Sequence, residues 1–232
     1  MEVPGRLGES LRRCGAILQV ALDFTDLWAA LRIARSMPRS PAIALEAGTP
    51  LIKAHGMDSV RALAAIAGGR PVVADTKTAD AGALEASMAR DSGADAVTVL
   101  SASHDSTVEA MLGESQGRLA VYMDLMTSGD PLADAERARS LGVHVALIHL
   151  GVDVQKALGE RAAARARLVE EVAQVFKGPV AVAGGVKPRE AGSLAAAGAS
   201  IVVIGGGVTR AADPGQAAMD ALKSLSEAGY EC

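Results

Sequence analysis

Residues 72–102 read VVADTKTADAGALEASMARDSGADAVTVLSA, and this stretch decides the fold. An apolar run, VVADTK (72–77), gives way to ALEASMARDSGA (83–94), Ala-rich with apolar residues at helical spacing. A second apolar run, AVTVLS (96–101), follows. Runs this continuous in Val, Ala and Leu suit strands buried on both faces, the state of strands in a parallel sheet. Strand, helix and strand together make one crossover unit. The unit repeats outward in both directions. Further runs stand at ILQVALD (17–23), PAIALEAG (41–48), LAVYMDL (119–125), HVALIHLG (144–151), PVAVAGG (179–185) and IVVIGGG (201–207). Several helical stretches close with Gly-Ala or Gly-Val before the next run (SGADAV, LGVHVA, AGASIV), where Gly suits a left-handed C-terminal turn.

Eight such units favour a closed (β/α)8 TIM barrel. An open doubly wound sheet is weaker, because no G-x-G-x-x-G follows the first run. No Pro/Gly/Ser block divides the 232 residues, so the expectation is one α/β barrel domain over 17–228. Residues 1–16 are expected to form a short N-terminal helix capping the bottom. The net charge of −4 and the lack of a basic run exclude an electrostatic footprint for nucleic acid. No run is long enough to span a bilayer, and the N-terminus lacks the apolar core of a secretion signal. The two cysteines, Cys14 and Cys232, lie near opposite ends without metal-type spacing. They predict no disulfide framework and a reducing cytoplasm.

Catalytic groups of such barrels sit at the C-terminal ends of the strands. The first run ends in Asp23, the second carries Glu46, and the third carries Asp75 and Lys77 with Asp80 just beyond. The fifth carries Asp124 and the sixth His149. Period-two alternation puts Asp75 and Lys77 on one face. Each has a bland reading beside the chemical one. Asp23 alone caps a helix or sits in solvent, Asp124 pairs structurally with Lys77, and His149 is a satisfied core histidine. Glu46, flanked by apolar residues, needs a cation or metal, since an unpaired buried carboxylate is costly. At one barrel mouth, together, they read as a site. The seventh and eighth runs end in Gly184-Gly185 and Gly205-Gly206-Gly207. There, backbone N–H groups can approach a phosphate, or the glycines simply make tight turns.

D-T-K-T-A-D (75–80) resembles the D-x-K-x-x-D motif of the orotidine monophosphate decarboxylase suprafamily. The similarity runs from LQVALD near residue 18 to TRAADP near 214, and within the suprafamily it points to the 3-hexulose-6-phosphate synthase branch. The resemblance implies a Mg2+-dependent aldehyde-lyase joining formaldehyde to D-ribulose 5-phosphate through a metal-stabilised enediolate, or running the cleavage. It implies Glu46 and Asp75 as metal ligands, Asp23 in the substrate cavity and Lys77 at the reacting oxygens. It implies Gly184, Gly185, Gly205 and Gly206 on the substrate phosphate. For such a reaction His149 is the candidate acid or base, an imidazole's ordinary pKa lying near working pH, with Asp124 assisting or orienting Lys77. Asp80 would reach into the neighbouring subunit of a homodimer. The alternatives are 3-keto-L-gulonate-6-phosphate decarboxylase, orotidine monophosphate decarboxylase and a catalytically silent sugar-phosphate-binding barrel. Asp124, Val152, Ala183 and Gly206 stand where the gulonate decarboxylase typically has Glu, Arg, Thr and Arg. Ala81 follows the second motif aspartate where orotidine monophosphate decarboxylase usually has Ile.

Overall fold

The computed structural model describes residues 2–151 and 162–232. Eight parallel strands close into a barrel in sequence order. They are β1 (Ile17–Leu22), β2 (Ile43–Ala47), β3 (Val72–Thr78), β4 (Ala96–Leu100), β5 (Ala120–Asp124), β6 (Val145–His149), β7 (Val180–Ala183) and β8 (Ala199–Ile204). Each expected run coincides with one strand. Most are trimmed where the run passes into its loop, while β3 extends one residue beyond its run to Thr78 and β8 begins two residues before its run at Ala199. The helices in chain order are α1 (Gly5–Cys14), α2 (Leu27–Ser36), α3 (Thr49–His55), α4 (Asp58–Ile66), α5 (Gly82–Asp91) and α6 (Asp105–Ser115). After them come α7 (Pro131–Leu141), α8 (Ala162–Phe176), α9 (Ala191–Ala196), α10 (Gly206–Thr209) and α11 (Pro214–Glu227). The glycines expected to end helices do so left-handed, with φ of 88° at Gly93, 92° at Gly142 and 110° at Gly198.

Strand alternation divides the core in two. Outward residues such as Leu18, Leu45, Val97 and Val182 pack under the helices. Inward residues, among them Ile17, Ala44, Val73, Ala96, Val145 and Ile201, fill the barrel itself. The lower end is closed by α1, whose preceding Val3 and whose Leu7 and Cys14 join that inner cluster. Arg6 clamps the helix down with two hydrogen bonds to Asp95, at 2.8 and 2.9 Å, just below β4.

One expectation is corrected here. Cys14 and Cys232 form a disulfide, with Cα atoms 4.4 Å apart across a sequence separation of 218 residues. In a closed barrel the segment entering β1 and the helix leaving β8 both finish at the bottom. Cysteines at opposite ends of the chain therefore meet in space. Among the described residues no helix is long and apolar enough to cross a membrane.

Candidate active site

Toward the C-terminal ends of the strands the inward column turns polar. Gln19 and Asp23 follow β1 upward, Glu46 lies on β2, Asp75 and Lys77 on β3, Thr98 on β4, Asp124 on β5 and His149 on β6. Most of them line one cavity of about 710 Å³, walled on the far side by Gly184, Gly185, Gly205, Gly206 and Arg210. Asp124 lies behind that lining, wholly buried.

Lys77 is where β3 leaves ideal geometry. Its φ is +47°, and the β3–β4 register shifts between Ala74 and Thr78. Bulges of this kind re-aim side chains next to functional sites. The Lys77 backbone N–H donates to Thr98 Oγ1 at 2.8 Å, holding the turn. Lys77 Nζ then donates to both Asp75 oxygens, at 3.0 and 2.9 Å, and to Asp124 Oδ2 at 2.9 Å. Burial pulls the ammonium down, but Asp75 and Asp124 outweigh it and its pKa ends raised. Thr98 and Thr49 hydroxyls also donate to Asp75, at 2.9 and 2.7 Å.

Asp124 sits at the hub. Its Oδ2 faces His149 Nδ1 at 3.0 Å and its Oδ1 accepts from the Met126 N–H at 3.0 Å. Burial would raise its carboxyl, but the His149 hydrogen bond and charge, then Lys77, hold it below the ordinary value of 3.8. Glu46 has the opposite balance. Burial, then the charges of Asp75 and Asp23, push it well above 4.5, against the Gln19 hydrogen bond and Lys77. Asp23 is raised too, by burial and then Asp75. It is seated between two backbones: a Cβ on Gly48 would collide with its Oδ1, and one on Gly205 would lie 3.3 Å from its Oδ2. Two carboxylates disfavoured in their charged form, beside a third, make a donor set that an added cation relieves. Oxygen donors of this kind suit Mg2+. Among the described residues no three His, Cys, Asp or Glu side chains form a ready metal cage, so such an ion would depend on water and substrate for further ligands.

Around this cavity, a family model matches nearly the whole chain. The model of the orotidine 5'-phosphate decarboxylase / HUMPS family matches residues 16–221. The chain belongs to that family. Within the family it is 37% identical over 216 residues to 3-hexulose-6-phosphate synthase of Mycobacterium gastri, covering 90% of this chain and 99% of the relative. A crystal structure of 3-hexulose-6-phosphate synthase superposes with a TM-score of 0.84 at 36% identity, covering 90% of this chain and 99% of that one. The bifunctional Fae/Hps enzyme of Methanococcoides burtonii is 35% identical over 90% of this chain. This chain spans only 53% of that relative's length.

Set against the family motif, Asp80 stands apart. It is exposed, its Oδ1 accepts from the Ala81 N–H at 2.7 Å, and it does not line this chain's own cavity. Val152 lies outside the described residues. Gly206 holds its place, yet Arg210 reaches the same wall: a Cβ at position 206 would lie 3.6 Å from the Arg210 side chain. The sequence reading missed Arg210, Thr49 and Thr98, and it missed Gln19 and Tyr122 on the floor. Gln19 and Tyr122 carried a signal, being polar groups in apolar runs with the same parity as Asp23 and Asp124.

Proposed function

We propose that the chain is a Mg2+-dependent aldehyde-lyase of the 3-hexulose-6-phosphate synthase type, joining formaldehyde to D-ribulose 5-phosphate or running the reverse cleavage. The observation that carries this reading is the convergence of Glu46, Asp75, Lys77 and the Asp124–His149 pair on one cavity with a glycine-lined far wall. Glu46 and Asp75 would hold the metal, with Asp23 beside them. Bound there, Mg2+ supplies Lewis-acid polarisation of the sugar oxygens.

The chain's own groups account for the proton and charge movements. Asp124, ionised, only accepts hydrogen bonds, so the proton of His149 sits on Nδ1 and the lone pair on Nε2. Nε2 takes a proton from C1 of the ketose phosphate. Lys77 holds a fixed positive charge where the enediolate's negative charge develops. The C1 carbanion equivalent then attacks formaldehyde, forming the new C–C bond as the carbonyl π bond breaks. The resulting alkoxide takes the proton held on His149 Nε2, which restores the neutral imidazole. The backbones of Gly184, Gly185, Gly205 and Gly206, with Arg210 next to them, bind the phosphate, whose remote binding energy holds the small reactive end in place.

The active unit is a homodimer in which Asp80 completes the neighbour's site. Leu84 and Met88, 61% and 44% exposed one helical turn apart on α5, support that surface. A phosphorylated substrate does not cross membranes freely, which assigns the reaction to the cytoplasm. The barrel over 17–228 carries the chemistry, with 1–16 as its cap.

The test is to incubate purified protein with ribulose 5-phosphate and formaldehyde, with Mg2+ or with EDTA, and follow formaldehyde. A parallel sample receives 3-keto-L-gulonate 6-phosphate, and CO2 is followed. Mg2+-dependent formaldehyde loss is expected. CO2 alone would assign the decarboxylase, for which Arg210 in the cavity wall is the favouring feature. Silence in both, with the fold intact, would leave a binding barrel.

A further inference from the structure

The floor of the cavity holds two polar side chains that the reaction does not use. Tyr122 on β5 is fully buried and Gln19 on β1 is 1% exposed. Their inward neighbours, Ala21, Ala44, Val145 and Val203, are apolar. A buried amide among such groups is costly unless its hydrogen bonds are made. They are made in series: Tyr122 OH donates to Gln19 Oε1 at 3.2 Å, and Gln19 Nε2 donates to Glu46 Oε2 at 2.6 Å.

We propose that Gln19 and Tyr122 are positioning residues that fix which oxygen of Glu46 faces the cavity, and thereby its capacity to hold a divalent cation. The proposal rests on the metal reading above. The series has one direction. To ligate a cation Glu46 must be ionised and can then only accept, so the Gln19 amide must turn its NH2 group toward it, the orientation the structure shows. Its oxygen then faces Tyr122, whose hydroxyl must donate. A reversed amide would set two oxygens 2.6 Å apart in place of the donor–acceptor pair. The Glu46 carboxylate is thus tied from below by one oxygen, and among the described residues the Gln19 bond is the one hydrogen bond it makes. The other oxygen is left for a ligand above. The rotamer freedom of a long acidic side chain is removed before any ion arrives. Apolar residues of the same size would pack the floor without supplying this restraint.

Calorimetric titration of Mg2+ into the purified full-length protein tests the proposal, with Tm measured on every variant. Gln19→Met keeps the bulk and removes the donor; an outer partner of this kind is worth about 10- to 100-fold in metal affinity. That loss is expected, with a smaller loss in the same direction for Tyr122→Phe. A purely structural role would lower Tm and leave the affinity unchanged, and this result would overturn the proposal. Should Gln19→Met not fold, Tyr122→Phe, which loses only a hydroxyl, decides by the same criterion. Glu46→Gln is the control for the parent reading: its loss of Mg2+ binding supports that reading. Retained wild-type affinity there removes the metal from Glu46, and the proposal falls with it.

Discussion

The two ends of this barrel are built on opposite terms. At the bottom the buried charged groups Arg70 and Asp95 are held by hydrogen bonds. Arg6 chelates Asp95, whose Oδ2 also accepts from the Val72 N–H at 2.8 Å. Arg70, buried, spends its guanidinium on backbone carbonyls at the ends of helices, among them Ala67 and Met37. The Cys14–Cys232 disulfide ties the two ends of the chain together there. At the mouth, Asp23, Glu46 and Asp75 share a site, and burial and mutual repulsion raise Glu46 and Asp23. Lys77 holds a left-handed backbone in the same place. Unrelieved charge and strained backbone gather at functional sites because the surrounding structure can hold them. The bottom supplies that support, and the mouth uses it.

Lys77→Ala should break the contrast most severely. It removes the cation serving Asp75 and Asp124 together, so activity should fall about 100- to 1,000-fold, as for loss of one charge-stabilising donor. Stability should fall as well, by about 3–5 kcal/mol, because a buried partner is left unpaired. Formaldehyde turnover and urea unfolding measured together check this.

Reduction of the disulfide, or Cys14→Ser, should sharpen the contrast from the other end. The loop it closes is nearly the whole chain, and its loss should cost about 2–4 kcal/mol, with turnover at 25 °C unchanged. Urea midpoints with and without a dithiol reductant give the number. A loss of activity in folded, reduced protein would mean that the bottom does more than support.

The smallest effect is in pH. For metal-free protein, the folded state keeps protons on Glu46 and Asp23 above the values at which the unfolded chain releases them, near 4.5 and 3.8. Between each unfolded value and its raised folded value, stability falls as pH rises. Asp124 acts oppositely: its contribution is present above 3.8 and is lost as pH falls through its lowered folded value. Thermal melts in EDTA from pH 4 to 8 should therefore slope downward with pH through the Glu46 window, and Mg2+ should flatten that slope.

How much of this was legible in the chain follows from physics. Strand and helix periodicity is local, so the eight runs and their order could be read from residues 72–102 outward. The acidic residues of the mouth stood out because charge at a strand end contrasts with its run. Gln19 and Tyr122 did not, since an amide and a phenol inside LQVALD and LAVYMDL look like strand residues until parity is counted. Thr49 and Thr98 were hidden for the same reason, threonine being a common strand and helix-start residue. Arg210 lies beyond a glycine turn whose direction no local pattern states. The disulfide was misjudged because sequence distance was taken for spatial distance, although barrel closure brings both ends to the bottom. The role in a neighbouring subunit's site that the resemblance implies for Asp80 is one a single chain does not display.

The most direct test of the account is a pair of melting curves. Wild-type protein and Glu46→Gln are heated in EDTA and again in saturating Mg2+. Removing a carboxylate that burial and its neighbours disfavour should leave Glu46→Gln at least as stable as wild type in EDTA. Mg2+ should raise the Tm of wild type, as a ligand that binds only the folded state does, and leave the variant unmoved. Equal Mg2+ shifts in both proteins, or a variant markedly less stable in EDTA, would contradict the claim that the mouth is assembled against its own stability to hold a cation.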